Sequence, residues 1–235
     1  MNVASRLAAL DWSSAEQSLN SQGFALLPQL LSEAECRSLR DLYPDSARFR
    51  SRIDMRRYRF GRGEYQYFAY PLPDLVAELR QHLYSHLVPL ANLWMSRLSS
   101  PDRFPPTLAE LTARCHAAGQ SRPTPLLLHY GPGDFNCLHQ DLYGAIYFPF
   151  QVVFLLSDPE RAFSGGELVL VEQQPRAQSI PHVVRPRLGE AVILSTRYRP
   201  AAGSRGFYRT NLKHGVSTLH AGERYTLGVI FHDAQ

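Results

Sequence analysis

Residues 129–144 read HYGPGDFNCLHQDLYG. The stretch follows an apolar run, PTPLLL, and carries two histidines, two aspartates and three glycines. Its decisive feature is His139 and Asp141, separated by a single residue. On a strand, residues i and i+2 project from one face, so an imidazole and a carboxylate at this spacing can converge on one ion. On its own the pair is a weak signal, because an aspartate capping a turn beside a solvated histidine gives the same pattern. Its meaning depends on what surrounds it.

From about Thr124 onward the chain is a series of short β-rich runs separated by Gly and Pro: PLLLHY, YFPFQVVFLL, GELVLVEQ, HVVRPRL, EAVILS, NLKHGVS and YTLGVIF. No long helical period interrupts them, which predicts an antiparallel sandwich or barrel, most economically a jelly roll. In such a fold an opposing strand can supply a third ligand, and His214 in NLKHGVS is placed to do so. Two histidines and one carboxylate on one face of an octahedron leave three positions open, the set used by non-haem Fe(II) oxygenases. A structural zinc site would be closed by four protein ligands, and no fourth is evident.

Arg224 follows His214 by ten residues. If it points into the same interior it needs an anion, because a guanidinium stays charged and is costly to bury unpaired. A dicarboxylate chelating the metal at one end would present its far carboxylate there. Thr226, two residues on, shares that strand face and adds a hydroxyl, and Tyr130 is a further donor. The remaining histidines have ordinary readings. His129 faces away from the interior or lies near its mouth. His220 is in a Gly-adjacent turn, and His182 is in a Pro-flanked loop without a partner. His232 beside Asp233 is a poor ligand, and His82, His86 and His116 belong to helices.

These pieces, YGPGDFNCLHQD, SGGELVLVE, LGEAVILS and HGVSTLHAGERYTLGVIF, resemble the Fe(II)/2-oxoglutarate-dependent dioxygenases, and among them the prolyl-4-hydroxylase-like group. The resemblance covers about residues 121 to 235, and GFALLPQLLSEAECRSLRDLY is similar to the N-terminal segment of such enzymes. It implies a double-stranded β-helix (jelly roll) in an α+β chain with a mainly β core and N-terminal helices packed on it. It implies that His139, Asp141 and His214 bind iron, and that Arg224 holds the far carboxylate of 2-oxoglutarate, with Tyr130 and Thr226 as additional contacts. The cofactors implied are Fe(II), 2-oxoglutarate and O2, with ascorbate as a candidate reductant. The reaction would be hydroxylation of an unactivated C–H with release of succinate and CO2.

The first half reads as mainly helical. Ser32 and Glu35 form a capping-box pattern. A helix from about Asp74 carries Val76, Leu79, Leu83, Leu87 and Leu90 at helical spacing, with Pro89 expected to kink or break it. Thr107 and Glu110 predict a second capping box. The expected organisation is one domain over residues 1–235: a helical part, 1–120, with a basic β-hairpin, and a jelly-roll core, 121–235. The three cysteines, Cys36, Cys115 and Cys137, form no CxxC and suggest no disulfide framework. The absence of a signal-like leader or a membrane-length apolar run predicts a cytoplasmic protein without a membrane partner.

The formal charge is +4, and the basic residues are arginines except for Lys213. Seven arginines fall between residues 48 and 62, interleaved with Phe49, Tyr58, Phe60, Tyr65, Tyr67 and Phe68 across the segment 48–70, which reads as a β-hairpin around GRGE. Arginines pair phosphates while aromatics stack bases, so nucleic acid is one expected partner; the plainer reading, favoured by the general arginine bias, is a hairpin that extends the sheet with its aromatics packed and its arginines solvated. Residues 196–209, with Arg197, Arg199, Arg205 and Arg209, read as a second, exposed basic loop. The whole chain is also similar to a bacterial family of about this size described as oxygenases for damaged DNA. Two alternatives stand beside that reading. ERYTLGVIF lies closer to the prolyl-hydroxylase pattern than to the R-x-N-x-T-x-R stretch of base-dealkylating enzymes, which favours a protein or peptide hydroxylase. A non-enzymatic jelly-roll binding module is the third.

Overall fold

The computed structural model describes residues 2–235. Five α-helices are α1 (Val3–Ala8), α2 (Trp12–Gln22), α3 (Glu33–Asp41), α4 (Asp74–Arg97) and α5 (Leu108–Ala117). The strands before α4 are β1 (Phe24–Leu27), β2 (Phe49–Asp54), β3 (Gly61–Arg62) and β4 (Glu64–Phe68). After α5 come β5 (Leu126–Tyr130), β6 (Phe135–His139), β7 (Phe150–Leu155), β8 (Phe163–Gly165), β9 (Leu168–Gln173) and β10 (Ile180–Val184). The chain closes with β11 (Ala191–Ser195), β12 (Tyr198–Gly203), β13 (Gly206–Val216), β14 (Leu219–Gly222) and β15 (Arg224–Ile230).

Local chemistry sets the helix limits. Asp11 caps α2 at its start, and Gly23, left-handed at φ 81°, ends it. The Ser32–Glu35 capping box of α3 is reciprocal, whereas Thr107 caps α5 without the return bond from Glu110. Pro89 does not end α4, which runs unbroken for 24 residues. Packing overrides the local penalty there: Leu87, Val88, Leu90, Ala91 and Trp94 are all buried on both sides of it.

Two sheets form the sandwich. The larger has the order β1-β11-β7-β15-β5-β4-β2; the smaller runs β10-β9-β13-β6-β3, with β12 on β13, and β14 pairs separately with β8. The pairings within these sheets are antiparallel. Three strands of the larger sheet, β1, β2 and β4, come from the first 70 residues, so the N-terminal part supplies strands as well as helices. Alternation on the central strands divides the sheet's work. Phe150, Val152, Phe154, Leu227 and Val229 join the core with α1, α2 and α4, while Gln151, Val153, Thr226 and Gly228 face a cavity between the sheets. Arg80 of α4 is tied to the end of β15 through Ile230 O, Phe231 O and Asp233.

The arginine-rich hairpin differs from the sequence reading. Its strands are FRSRID and EYQYF, and RRYRF forms a 3-10 turn that leads into β3. β3 leaves the hairpin to pair with β6 of the smaller sheet. The segment 196–209 is likewise an ordered hairpin, β12–β13. Its Arg199 is buried against Glu172 at 2.8 Å and so is unavailable to a phosphate. No helix of the described residues is long and apolar enough to cross a membrane.

Candidate metal centre and its cavity

His139 is the last residue of β6 and lies in register opposite His214 of β13. Their rings are 4.3 Å apart between centroids. The close approach of the two strands depends on Gly215, where a Cβ would lie 2.6 Å from the Asn136 carbonyl. Asp141 sits just past the end of β6, so the H-x-D pair converges through a strand end rather than within a strand. Its Oδ2 is 3.1 Å from His214 Nε2 and its Oδ1 is 3.4 Å from His139 Nε2. The ligand atoms of the three residues lie within 4.8 Å of one another.

Two further contacts orient the donors. His139 Nδ1 is 2.8 Å from the Cys137 carbonyl, which favours the tautomer with Nε2 free to ligate. Tyr143 donates to Asp141 Oδ1 at 2.6 Å. Burial alone would push the Asp141 carboxyl up, but the two imidazoles outweigh it and hold the group well below the usual range. Burial likewise opposes protonation of His139, yet Asp141 carries that pKa above its ordinary value, while burial and the neighbouring His139 push His214 down. Two nitrogens and one carboxylate on one side of a cavity, with the other side open, fit a divalent iron with exchangeable positions.

The cavity measures about 350 Å³ and is lined from both sheets. The six residues singled out by sequence, His139, Asp141, His214, Arg224, Tyr130 and Thr226, all line it. Arg224 opens β15 opposite Tyr130 of β5, with its guanidinium 5.6 Å from the tyrosine ring. It is 2 % exposed. The buried arginines Arg80 and Arg199 meet Asp233 and Glu172, but Arg224 meets no carboxylate among the described residues. Burial pulls its pKa down from the ordinary value. The Gly-Gly pair explains how its stem fits: Gly166 has φ +65°, and a Cβ there would meet Leu219 at 2.7 Å and the Arg224 Cδ at 3.0 Å. Asn136, on the strand that ends at His139, approaches the Tyr130 hydroxyl at 3.4 Å.

His129 lies on the reverse face of the sheet, stacked on Tyr225 at 4.4 Å. His232 is buried with Nδ1 accepting from the Phe148 amide, His86 stacks on Trp12, and His116 meets Asp233. The sequence reading missed Asn136, Tyr143 and Gln151 and gave Tyr65 and Tyr67 either to base stacking or to packing within the sheet, and all five line the cavity. Gln151 had a legible signal, being the one polar residue in FQVVFL.

Of the seven hairpin arginines, Arg48, Arg52 and Arg56 pair with Asp45, Glu64 and Asp54, and Arg50 stacks over Tyr67 at 4.4 Å. Arg57, Arg59 and Arg62 are exposed and have no acidic partner among the described residues. Tyr58 and Phe60 stand exposed and stacked, 5.6 Å between centroids, with Phe60 at the cavity mouth.

A family model described as an oxygenase catalysing oxidative methylation of damaged DNA matches residues 63–234. An uncharacterized protein of Mycobacterium tuberculosis, from strains CDC 1551 and H37Rv, is 48% identical over 167 residues, covering 71% of this chain and 72% of its own. The fold is similar to that of a Pseudomonas putida prolyl-4-hydroxylase (TM-score 0.54, 15% identity, 95% of this chain and 100% of that one). It is also similar to a 2OG-Fe(II) oxygenase family oxidoreductase from Burkholderia pseudomallei (0.53, 16%, 96% and 93%). A third likeness is a Trichoplax adhaerens prolyl hydroxylase in complex with a hypoxia inducible factor peptide fragment (0.55, 15%, 98% and 90%).

Proposed function

The chain belongs to the Oxygenase-NA family, and from that premise we propose that it hydroxylates a damaged base in nucleic acid, with the metal held by His139, Asp141 and His214. Its reaction class is that of an Fe(II)- and 2-oxoglutarate-dependent dioxygenase. The observation that carries the site assignment is the convergence of the three donors within 4.8 Å in a cavity that also holds a buried, acid-free Arg224. Iron bound there, with 2-oxoglutarate and O2, supplies the oxidising power to convert a C–H to an alcohol, with succinate and CO2 as co-products.

The chain's own residues bind and orient. Arg224 receives the far carboxylate of 2-oxoglutarate in a fork of N–H donors, and Thr226 and Tyr130 add hydroxyls beside it. Tyr143 holds the Asp141 carboxylate in place. The apolar walls at Leu128, Val153 and Leu168 keep bulk water from the reacting region. On a methylated base nitrogen, hydroxylation yields a hemiaminal that releases formaldehyde. Arg57, Arg59 and Arg62, with Tyr58 and Phe60 at the mouth, offer a strand phosphate contacts and stacking. The N-terminal helices and the jelly roll act as one domain in this reading, supported by a core that draws on both. Its cysteines are all unpaired, which supports a reducing, cytoplasmic setting.

The test is succinate release from methylated single-stranded oligonucleotides against pools of proline-containing peptides, with Asp141→Ala as control. Oligonucleotide-stimulated succinate that is lost in Asp141→Ala is the expected result. Stimulation by peptide alone would replace the nucleic-acid substrate with a polypeptide, and undiminished turnover in Asp141→Ala would sink the site assignment.

A further inference from the structure

We propose that the end of the cavity remote from Arg224 is a reading pocket for a planar, hydrogen-bond-accepting heterocycle, with Gln151 as its specificity-determining residue. The inference rests on the nucleic-acid reading above and deepens it by assigning recognition of the base to named side chains.

Gln151 lies on β7, near the centre of the larger sheet, where its neighbours in sequence are apolar. It is 2 % exposed, and its amide nitrogen has no hydrogen-bond partner among the described residues. It lines the metal cavity. An unpaired buried amide is destabilising, so a carboxamide held there fits a partner that arrives from outside the chain.

That partner is not the cosubstrate. Gln151 is in register with Ile230 and Leu155 with Thr226, which puts Gln151 six residues along the sheet from Arg224. At strand spacing this is about 20 Å. A five-carbon diacid spans only about 5 Å from end carbon to end carbon. The ligand set lies between the two ends, since β6 begins beside Tyr130 through Asn136 and the chain continues through Asp141 to Tyr143.

Beside Gln151 the wall turns aromatic. Ile230, in register with Gln151, clusters with Tyr67 and Tyr143, whose rings meet at 6.0 Å and 87°, while Tyr65 stands level with Thr226, toward the Arg224 end. A perpendicular pair sets the edge of one ring against the face of the other, which holds both rings in place at the wall. Arg50 lies over the Tyr67 ring at 4.4 Å, fixing it. A pocket with aromatic side chains in its wall and one amide donor suits a flipped base, a planar group that offers a ring nitrogen or carbonyl oxygen as acceptor. A peptide segment would not use the free arginines at the mouth.

The test uses the full chain loaded with Fe(II) and 2-oxoglutarate under nitrogen. The probes are the four ribonucleosides and 1-methyladenosine, titrated with ligand-detected NMR. At least one is expected to bind wild type. Gln151→Leu should weaken that binding about tenfold or more and raise the melting temperature, because it removes the unpaired amide. Gln151→Glu, which keeps the shape but replaces the donor, should bind equally poorly. The combination of weaker binding with equal or greater stability is what a purely structural glutamine would not give. Absence of binding by wild type, or unchanged affinity in both variants, overturns the inference. Its failure is separable from that of the nucleic-acid reading: oligonucleotide-dependent succinate release with the same KM in wild type and Gln151→Leu would leave the substrate standing and remove Gln151 from its recognition.

Discussion

Replacing Arg224 by methionine should move two quantities in opposite directions. The guanidinium is 2 % exposed, has no carboxylate partner among the described residues, and is depressed in pKa by burial. Exchanging a buried charge for an apolar chain of similar length stabilises a protein by about 1–4 kcal/mol in comparable cases. At this chain length each kcal/mol is worth about 2–4 °C, so the cofactor-free variant should melt several degrees above wild type. Binding of 2-oxoglutarate should suffer instead. Truncating one partner of a buried charged pair costs about 2–5 kcal/mol, or roughly thirty-fold to several thousand-fold in Kd. Because the pair is buried, salt should screen it little.

The assay is calorimetric titration of the Mn(II)-loaded protein with 2-oxoglutarate and with 2-oxopentanoate, which has a methyl group in place of the far carboxylate. Wild type should discriminate strongly between the two and Arg224→Met hardly at all, and the cycle isolates the carboxylate–guanidinium interaction. Arg224→Lys should fall between, since it keeps the charge but loses the fork. Equal loss of both ligands in Arg224→Met would refute the reasoning, because the damage would then lie at the metal end. A large fall in cofactor-free stability would refute it too, since Arg224 would then be a structural cation.

Other perturbations have definite signs. Tyr143→Phe removes the 2.6 Å bond to Asp141 and should weaken metal binding about 10–100-fold, read by metal titration, with the fold intact by circular dichroism. Burial holds His232 at about 4, below its unfolded value of 6.5. The unfolded chain therefore binds more protons between those values, and stability should be full above pH 6.5 and fall as pH drops toward 4, by about 3 kcal/mol from this group. His232→Asn, which keeps an acceptor for the Phe148 amide, should flatten that slope in urea titrations across the window. Arg57→Ala/Arg59→Ala/Arg62→Ala should lower single-stranded DNA affinity and reduce the salt slope by about 0.7 for each phosphate that is no longer neutralised. An unchanged slope would remove the turn from the binding surface.

The features that read clearly from sequence were those set by short-range periodicity and residue chemistry. The strand series of the second half, the Ser32 capping box and the H-x-D…H…R order all depend on local spacing, and each corresponds to an observed element or cavity residue. What failed depended on tertiary partners. Pro89 was expected to kink or break α4, and the break does not occur, because a helix buried along its length tolerates it. β1 is four residues long and owes its existence to pairing with β11, so it has no period of its own. Arg199 looked like a surface cation because nothing local marks Glu172, 27 residues earlier, as its partner. Tyr65 and Tyr67 alternate with Glu64 and Gln66 as a surface hairpin would; that their face looks into the cavity follows only from pairing β4 with β5.

The placement of the basic turn constrains how the nucleic-acid reading can be tested. β6 carries His139 at its end and is poorly covered, with every residue at least partly exposed. Its outer edge would be an open row of backbone donors and acceptors, but β3 pairs with it, Gly61 opposite Asn136 and Arg62 opposite Phe135, and the Phe60 carbonyl accepts from the Cys137 amide at 2.8 Å. Gly61 makes this possible, since at φ +138° a Cβ would lie 2.3 Å from the Phe135 carbonyl. The turn that presents Arg57, Arg59 and Arg62 is thus continuous with the edge strand of the sheet that carries His139 and His214. Deleting it would unpair β6 beside a proposed ligand, and a loss of activity would say nothing about nucleic acid. Charge removal at Arg57, Arg59 and Arg62 leaves the backbone pairing intact, so metal affinity should stay constant while the salt dependence of strand binding changes. A fall in metal affinity in that variant would mean that the turn serves β6 and not a phosphate backbone.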